Sequence, residues 1–172
     1  MTVRPSREDD LPAVHAIYAH HVLTGLASFE ESPPDLPELA RRRSEVLVRG
    51  LPWLVAEADG AVAGYAYAGP YRTRPGYRYT VENSVYVAPD AQGKGVGRVL
   101  LAAVVEACTA KGYRLMVAII GDSANFASIT LHRRAGFRFC GTIHSVGHKF
   151  GRWLDSVVME LPLGEGDRTI PR

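Results

Sequence analysis

A chain of 172 residues is long enough for one domain with its own core and offers no second domain's worth of length. A net charge of +2, with 47% hydrophobic and 22% charged residues, fits an ordinary folded domain and sets aside nucleic acid or a membrane surface as the main partner. Two cysteines, Cys108 and Cys140, in no Cys-x-x-Cys or Cys/His grouping, set aside a metal site and are expected to be reduced and mostly buried.

No charged-then-apolar leader opens the chain and no apolar run is of bilayer length, so a cytoplasmic location is expected. In chain order, residues 2–4 predict a short strand. Ser6 followed by Asp9 has the spacing of a helix cap, and Leu11, Val14, Tyr18 and Val22 recur at helical intervals. Asp35 with Glu38 repeats the cap and opens a second helix, which runs to about Arg49 and ends at Gly50. Strands over 52–58 and 61–69 flank Asp59-Gly60, a two-residue hairpin signal. After a Pro, Gly and Arg loop at 70–76, a strand over 77–88 stops at Pro89.

The turn Gln92-Gly93-Lys94-Gly95-Val96-Gly97 then opens a helix that Lys111-Gly112 closes. A strand over 113–120, a helix over 124–135 ended by Gly136, and strands over 137–147 and 152–162 complete the chain. The polar tail from Gly164 is expected to fray. The order β-α-α-β-β-β-α-β-α-β-β predicts an α+β fold: one domain over 1–163, with a tail over 164–172, and a mixed, mainly antiparallel twisted sheet carrying helices on both faces.

The glycine-rich turn has two readings. It is a tight strand-to-helix connection, or it is an anion cradle in which backbone N–H groups at a helix N-terminus face a phosphate. A Walker loop needs Ser or Thr after Gly-Lys, and Gly95 follows Lys94 instead. A dinucleotide fingerprint needs a parallel β-α-β unit, whereas hairpins feed this strand.

Gln92-x-x-Gly95-x-Gly97, after Val85-Tyr86-Val87 and a proline, resembles the pyrophosphate loop of the GCN5-related N-acetyltransferases (GNAT). The order of elements is similar to that fold, and so is a second motif, Asn125-x-x-Ser128, His132 and Ala135-Gly136-Phe137. Most of that superfamily has tyrosine where this chain has His132. Thr80–Val87, Val117–Gly121, Gly147–Trp153 and Ala27–Glu30 resemble the phosphinothricin and methionine sulfoximine acetyltransferases, which carry histidine there.

The resemblance implies an N-acetyltransferase that uses acetyl-CoA as co-substrate, needs no metal, acts on a small amino-acid-like molecule and forms a homodimer. It implies cofactor contacts from Val85, Tyr86 and Val87, from Gln92, Gly93, Lys94, Gly95, Val96, Gly97 and Arg98, and from Asn125 and Ser128, with a bulge splaying the strand near Val85.

An amine attacking a thioester must lose a proton, pass through an oxyanion and expel a thiolate. Strand alternation puts Glu82, Ser84 and Tyr86 on one face, where a carboxylate among apolar neighbours suits a base; an exposed strand glutamate is the other reading. Asn125, Ser128 and His132 lie on one helical stripe, facing either solvent or a cofactor cleft. His132 is then a second proton carrier, base or acid. Arg72 and Arg74, with Tyr77, are candidates to hold a substrate carboxylate, or are solvated loop residues; Phe29 supplies an apolar wall.

His20-His21 reads as helix surface or core, and Trp153 as packing or a dimer contact. Polyamine or protein N-terminal acetylation would favour an acidic cleft, against which Arg72 and Arg74 count. A non-catalytic acyl-CoA sensor has no need of Glu82 and His132 together.

Overall fold

The computed structural model describes residues 1–171. Its elements are β1 (Thr2–Pro5), α1 (Leu11–Thr24), α2 (Leu36–Val48), β2 (Trp53–Ala58), β3 (Ala61–Pro70), β4 (Thr80–Val87), α3 (Val96–Ala110), β5 (Leu115–Gly121), α4 (Phe126–Arg134), β6 (Arg138–Lys149) and β7 (Arg152–Pro162). Local chemistry sets several boundaries. The Asp35 carboxylate accepts from the Glu38 amide at 2.9 Å, with Pro37 in the first turn of α2. Asp59 and Gly60 both take positive φ, 52° and 78°, which is the twist a two-residue hairpin requires.

The seven strands form one sheet in the order β1-β2-β3-β4-β5-β7-β6. Every neighbouring pair is antiparallel except β4–β5, so the sheet is mixed and mainly antiparallel, as expected. Alternation along β3 sorts the two faces. Gly64 faces α3 so closely that a Cβ there would stand 3.0 Å from Val96 and 3.2 Å from Leu100. Tyr65 faces the other way, stacking on Tyr86 at 5.2 Å, while Tyr18 of α1 meets Tyr86 edge-on at 5.0 Å. Helices α1 and α2 therefore cover one face and α3 the other. Leu100, Leu101, Val104 and Cys108 of α3 are fully buried against the sheet, each large apolar side chain contributing roughly 1.5–3 kcal/mol by transfer from water.

Several expectations are corrected. Ser6 does not cap α1: its hydroxyl accepts from Arg43 Nε at 2.7 Å, and Asp10 takes the capping position at α1, its carboxylate bonding the Arg7 amide and pairing with Arg4. The strand after the loop begins at Thr80, because Pro75–Tyr77 forms a short 3-10 turn. Cys108 is buried, and burial pushes its thiol up to about 12, but Cys140 lies exposed on the edge strand β6. Residues 164–169 are held rather than frayed, since Arg114 Nη1 donates to Thr169 Oγ1 at 3.0 Å and lies 3.6 Å from Glu165. Trp153 is exposed on β7, its ring 5.3 Å from that of His148, so it is not core packing. Among the described residues no helix is long and apolar enough to cross a membrane.

Candidate active site

The sheet forks at its one parallel pair. β4 and β5 run together at Thr80↔Leu115, Val81↔Met116 and Glu82↔Val117, and then part. The β3–β4 ladder continues through Gly64↔Val87 without a register shift, so the expected bulge near Val85 is absent. The opening comes from divergence of β4 and β5. Asn83 sits in the fork, its amide nitrogen donating to the Val117 carbonyl at 3.2 Å where the next ladder bond would lie.

The direction of the free backbone groups follows from one bond. Ala88 N–H donates to Ala63 on β3 at 2.9 Å, so in an antiparallel ladder Tyr86 and Ser84 also face β3, while Val87, Val85 and Asn83 face the fork. The Val87 carbonyl there accepts from His21 Nε2 at 2.8 Å. His21 does not line the cavity of the fork, but it caps the open edge of β4.

A cavity of about 240 Å³ occupies the fork. Ala27, Ser28 and Phe29, residues 82–86 of β4, residues 118–121 of β5, and Asn125, Ser128 and His132 at α4 line it. It opens through the plane of the sheet. Glu82, Ser84 and Tyr86 project on the α1 side; Asn83 projects on the side of α3 and α4. Glu82 and His132 therefore reach one cavity from opposite faces of the sheet.

Glu82 makes no side-chain hydrogen bond with a described residue. Burial pushes its pKa above the ordinary carboxylate range, and the charge of Arg72 acts weakly against this. His132 is 4% exposed. Its Nδ1 lies 2.8 Å from the Ser128 carbonyl, which can only accept, and its Nε2 lies 3.0 Å from Asn83 Oδ1, oriented as an acceptor by the bond to Val117. Two acceptors call for protons on both nitrogens, whereas burial, the larger influence, pulls the pKa below that of ordinary histidine. The two hydrogen bonds thus oppose burial without overcoming it. Asn125 is the N-cap of α4, accepting from the Ser128 amide at 3.2 Å.

The glycine turn lies on the α3 face. Gly93 and Gly95 have φ of 74° and 83°, and a Cβ at either would meet nothing within 4 Å. Open space thus stands in front of a backbone that side-chain-bearing residues rarely adopt. The first helical bond is Val99 N–H to Gly95 O at 3.2 Å, so the amides of Val96, Gly97 and Arg98 are free first-turn donors. The Val96 side chain is buried in the core and has only its backbone to offer; Gln92, Lys94 and Arg98 are exposed around the turn. At Gly97 a Cβ would stand 3.3 Å from Leu131 of α4, so that glycine serves helix packing.

The structure thus gathers Phe29, Glu82, Val85, Tyr86, Asn125, Ser128 and His132 around one cavity and sets the 92–98 turn on the same face as α4. Arg72, Arg74 and Tyr77 are not in its wall. They lie on the exposed segment before β4, with Arg72 over the Tyr71 ring at 5.0 Å and Tyr77 edge-on to Tyr71 at 5.7 Å. Sequence reasoning missed Asn83 and His21. Asn83 left a signal: alternation places it with Val81, Val85 and Val87, where an amide among valines asks for a buried partner.

The fork, the cleft through the sheet and the free amides at α3 define a class, and comparison agrees: residues 14–137 match the model of the acetyltransferase (GNAT) family, and the chain belongs to that family. Within it, the chain is 56% identical over 170 residues to a phosphinothricin N-acetyltransferase of Alcaligenes faecalis, covering 99% of this chain and 86% of that one. It is 45% identical to an L-methionine sulfoximine/L-methionine sulfone acetyltransferase of Pseudomonas aeruginosa, covering 94% of each. A crystal structure of a GNAT superfamily phosphinothricin acetyltransferase from Sinorhizobium meliloti in complex with AcCoA superposes with a TM-score of 0.97 at 46% identity, over 99% of this chain and 92% of that one.

Proposed function

We propose that this protein transfers the acetyl group of acetyl-CoA to the primary amine of a small amino-acid-like substrate of the phosphinothricin or methionine sulfoximine type. The observation that carries the reading is the forked cavity, with a half-buried, unpaired carboxylate on one face of the sheet and free helix-terminal amides on the other. The residues fit such a cofactor, since Gly93 and Gly95 leave the space before those amides open. Acetyl-CoA supplies the acetyl group as a thioester and departs as the thiol.

The amides of Val96, Gly97 and Arg98, with the cations of Lys94 and Arg98 beside them, hold the pyrophosphate. Asn125 and Ser128, which line the cavity, would hold the pantetheine arm together with the outward amides of Val85 and Val87 on the open edge of β4. On the α1 face, Glu82 takes the proton of the acceptor amine, directly or through one water; burial brings its pKa nearer the working range of a general base. His132 holds a proton on the cofactor face, kept in place by Ser128 and Asn83. Phe29 walls the acceptor side. Arg72, whose charge acts on Glu82, and Arg74 on the same exposed segment receive the substrate's acidic groups, with Tyr77 of that segment.

We infer in addition that two copies associate through the β6–β7 hairpin. Phe139, Ile143, Val146, Phe150 and Trp153 form an exposed apolar set there at the edge of the sheet. Use of an intracellular thioester and two unpaired thiols support a cytoplasmic location.

The test is acceptor-dependent thiol release from acetyl-CoA across a panel of phosphinothricin, methionine sulfoximine, protein amino acids and polyamines. Turnover concentrated on the first two supports the assignment. Turnover confined to polyamines, or binding of acetyl-CoA without release, overturns it.

A further inference from the structure

We propose that Lys149 is a positioning residue for the acceptor side of the reaction: its ammonium fixes the segment Gly25–Phe29, which forms one wall of the cavity. The inference rests on the reading of that wall as the acceptor subsite.

Lys149 has no solvent exposure, the only fully buried lysine or arginine among the described residues. An ammonium has three N–H groups. Here Nζ donates to the carbonyls of Val22 at 2.6 Å, Gly25 at 3.0 Å and Ser28 at 2.8 Å, so no donor is left over. Val22 belongs to the last turn of α1 and Gly25 follows it, so two of the three acceptors lie at the negative end of the helix. The third belongs to the cavity wall itself. One charge at one point thus ties the end of α1 to the loop that follows it, across more than 120 positions of sequence.

The lysine is anchored in turn. It precedes the two-residue turn Phe150-Gly151, whose φ values of 50° and 72° are those of a tight hairpin turn, and it is paired with Arg152 across the hairpin. Two residues earlier, Gly147 lies beneath Phe29: a Cβ there would stand 2.4 Å from the ring. At the end of β5, a Cβ on Gly121 would stand 2.6 Å from the Ala27 carbonyl. The wall is therefore pressed onto two glycine positions and held down by Lys149. Tyr18, bonded through its hydroxyl to Ser28 Oγ at 3.1 Å, closes the remaining side.

Burial disfavours a charged ammonium and lowers its pKa, with Glu31 and Glu30 acting in the opposite direction. Helices commonly end on a glycine cap at no such cost. A buried cation is warranted here because the loop it fixes must hold Phe29 and Ser28 at the cavity.

The test compares Lys149→Met, which keeps length and removes donors, with Lys149→Arg, which keeps the cation but cannot present three donors at one point. Phe29→Ala is the control for the wall itself. The readouts are KM for phosphinothricin, KM for acetyl-CoA, and amide hydrogen exchange over residues 25–30. Lys149→Met is expected to raise the acceptor KM about tenfold or more, hold the acetyl-CoA KM within about twofold, and speed exchange over 25–30 relative to the first turns of α1. Lys149→Arg is expected to show the same split in smaller measure, and it decides the matter if the Met variant does not fold. Equal changes in both KM values, or unchanged exchange over 25–30, overturn the proposal. If Phe29→Ala raises the acceptor KM while both Lys149 variants leave it alone, only the role of Lys149 fails. If Phe29→Ala is silent, the acceptor wall was misassigned and the proposal falls with it.

Discussion

Asn83→Ala removes the side chain that joins the two halves of the fork. Asn83 is 7% exposed, and both of its bonds end on buried partners: the Val117 carbonyl at 3.2 Å and His132 Nε2 at 3.0 Å. Leaving a buried polar group without its partner costs about 1–3 kcal/mol. Two such groups give a loss on the order of 2–6 kcal/mol, and with about 2–4 °C per kcal/mol for a chain of this size, Tm is expected to fall on the order of 10 °C. The second consequence is specific to the site. Nε2 loses an acceptor that favours the protonated ring, so the His132 pKa, already held low by burial, is expected to fall further. Asn83→Asp places a carboxylate there instead and is expected to raise it. Calorimetry gives the stability change and NMR titration of the ring nitrogens gives the pKa. A His132 that titrates identically in parent, Ala and Asp variants would refute the coupling across the fork, whatever happens to Tm.

The remaining predictions concern cofactor, acceptor, assembly and acid stability. Gly95→Val forces a branched side chain into φ 83° and fills the space before the free amides, so the acetyl-CoA KM is expected to rise about tenfold or more with the fold retained; unchanged cofactor affinity would remove the turn from the site. Arg72→Ala and Arg74→Ala are expected to raise the acceptor KM with little effect on acetyl-CoA, and an unchanged KM for carboxylated acceptors would return both to the solvated surface. Trp153→Glu places a charge in the exposed apolar set of β6–β7 and is expected to shift sedimentation toward the monomer; an identical sedimentation coefficient would refute that interface. Because the folded His132 pKa lies below the ordinary histidine value, the unfolded chain binds the proton first. The contribution of this group to stability is complete above a pH of about 6.5 and falls as pH drops below it, and denaturant midpoints between neutral and mildly acidic pH measure it.

What was legible in the sequence was local or periodic. Asp35 with Glu38 gives a cap, Asp59-Gly60 gives a hairpin, and the glycine-rich turn 92–97 gives the entrance of a helix; each depends on positions a few residues apart. Alternation alone placed Glu82 with Ser84 and Tyr86, and they do line the cavity. What was illegible depends on distance in sequence. His132 bonds Asn83 across 49 positions, and Lys149 reaches carbonyls before residue 29. Ser6 looked like a cap because its spacing to Asp9 is right, yet Arg43 from α2 claims its hydroxyl. Cys140 was expected to be mostly buried, but β6 is the edge strand, paired with β7 alone, and the thiol is exposed there. The fork could not be read either, because it arises where pairing stops, and no residue type marks the end of a ladder.

The central claim is that the acceptor amine meets a base on the α1 face of the fork and that this base is Glu82. The most direct measurement is kcat as a function of pH, at saturating acetyl-CoA and phosphinothricin, for the parent and for Glu82→Gln. The substitution keeps size and hydrogen bonding and removes basicity. With its pKa raised by burial, Glu82 should place the acidic limb of the parent profile above the ordinary carboxyl range. Glu82→Gln is expected to lower kcat by about 10²–10⁴ with near-parental KM values and to abolish that limb. Parental kcat in Glu82→Gln across the whole pH range, with the acidic limb intact, would contradict the account.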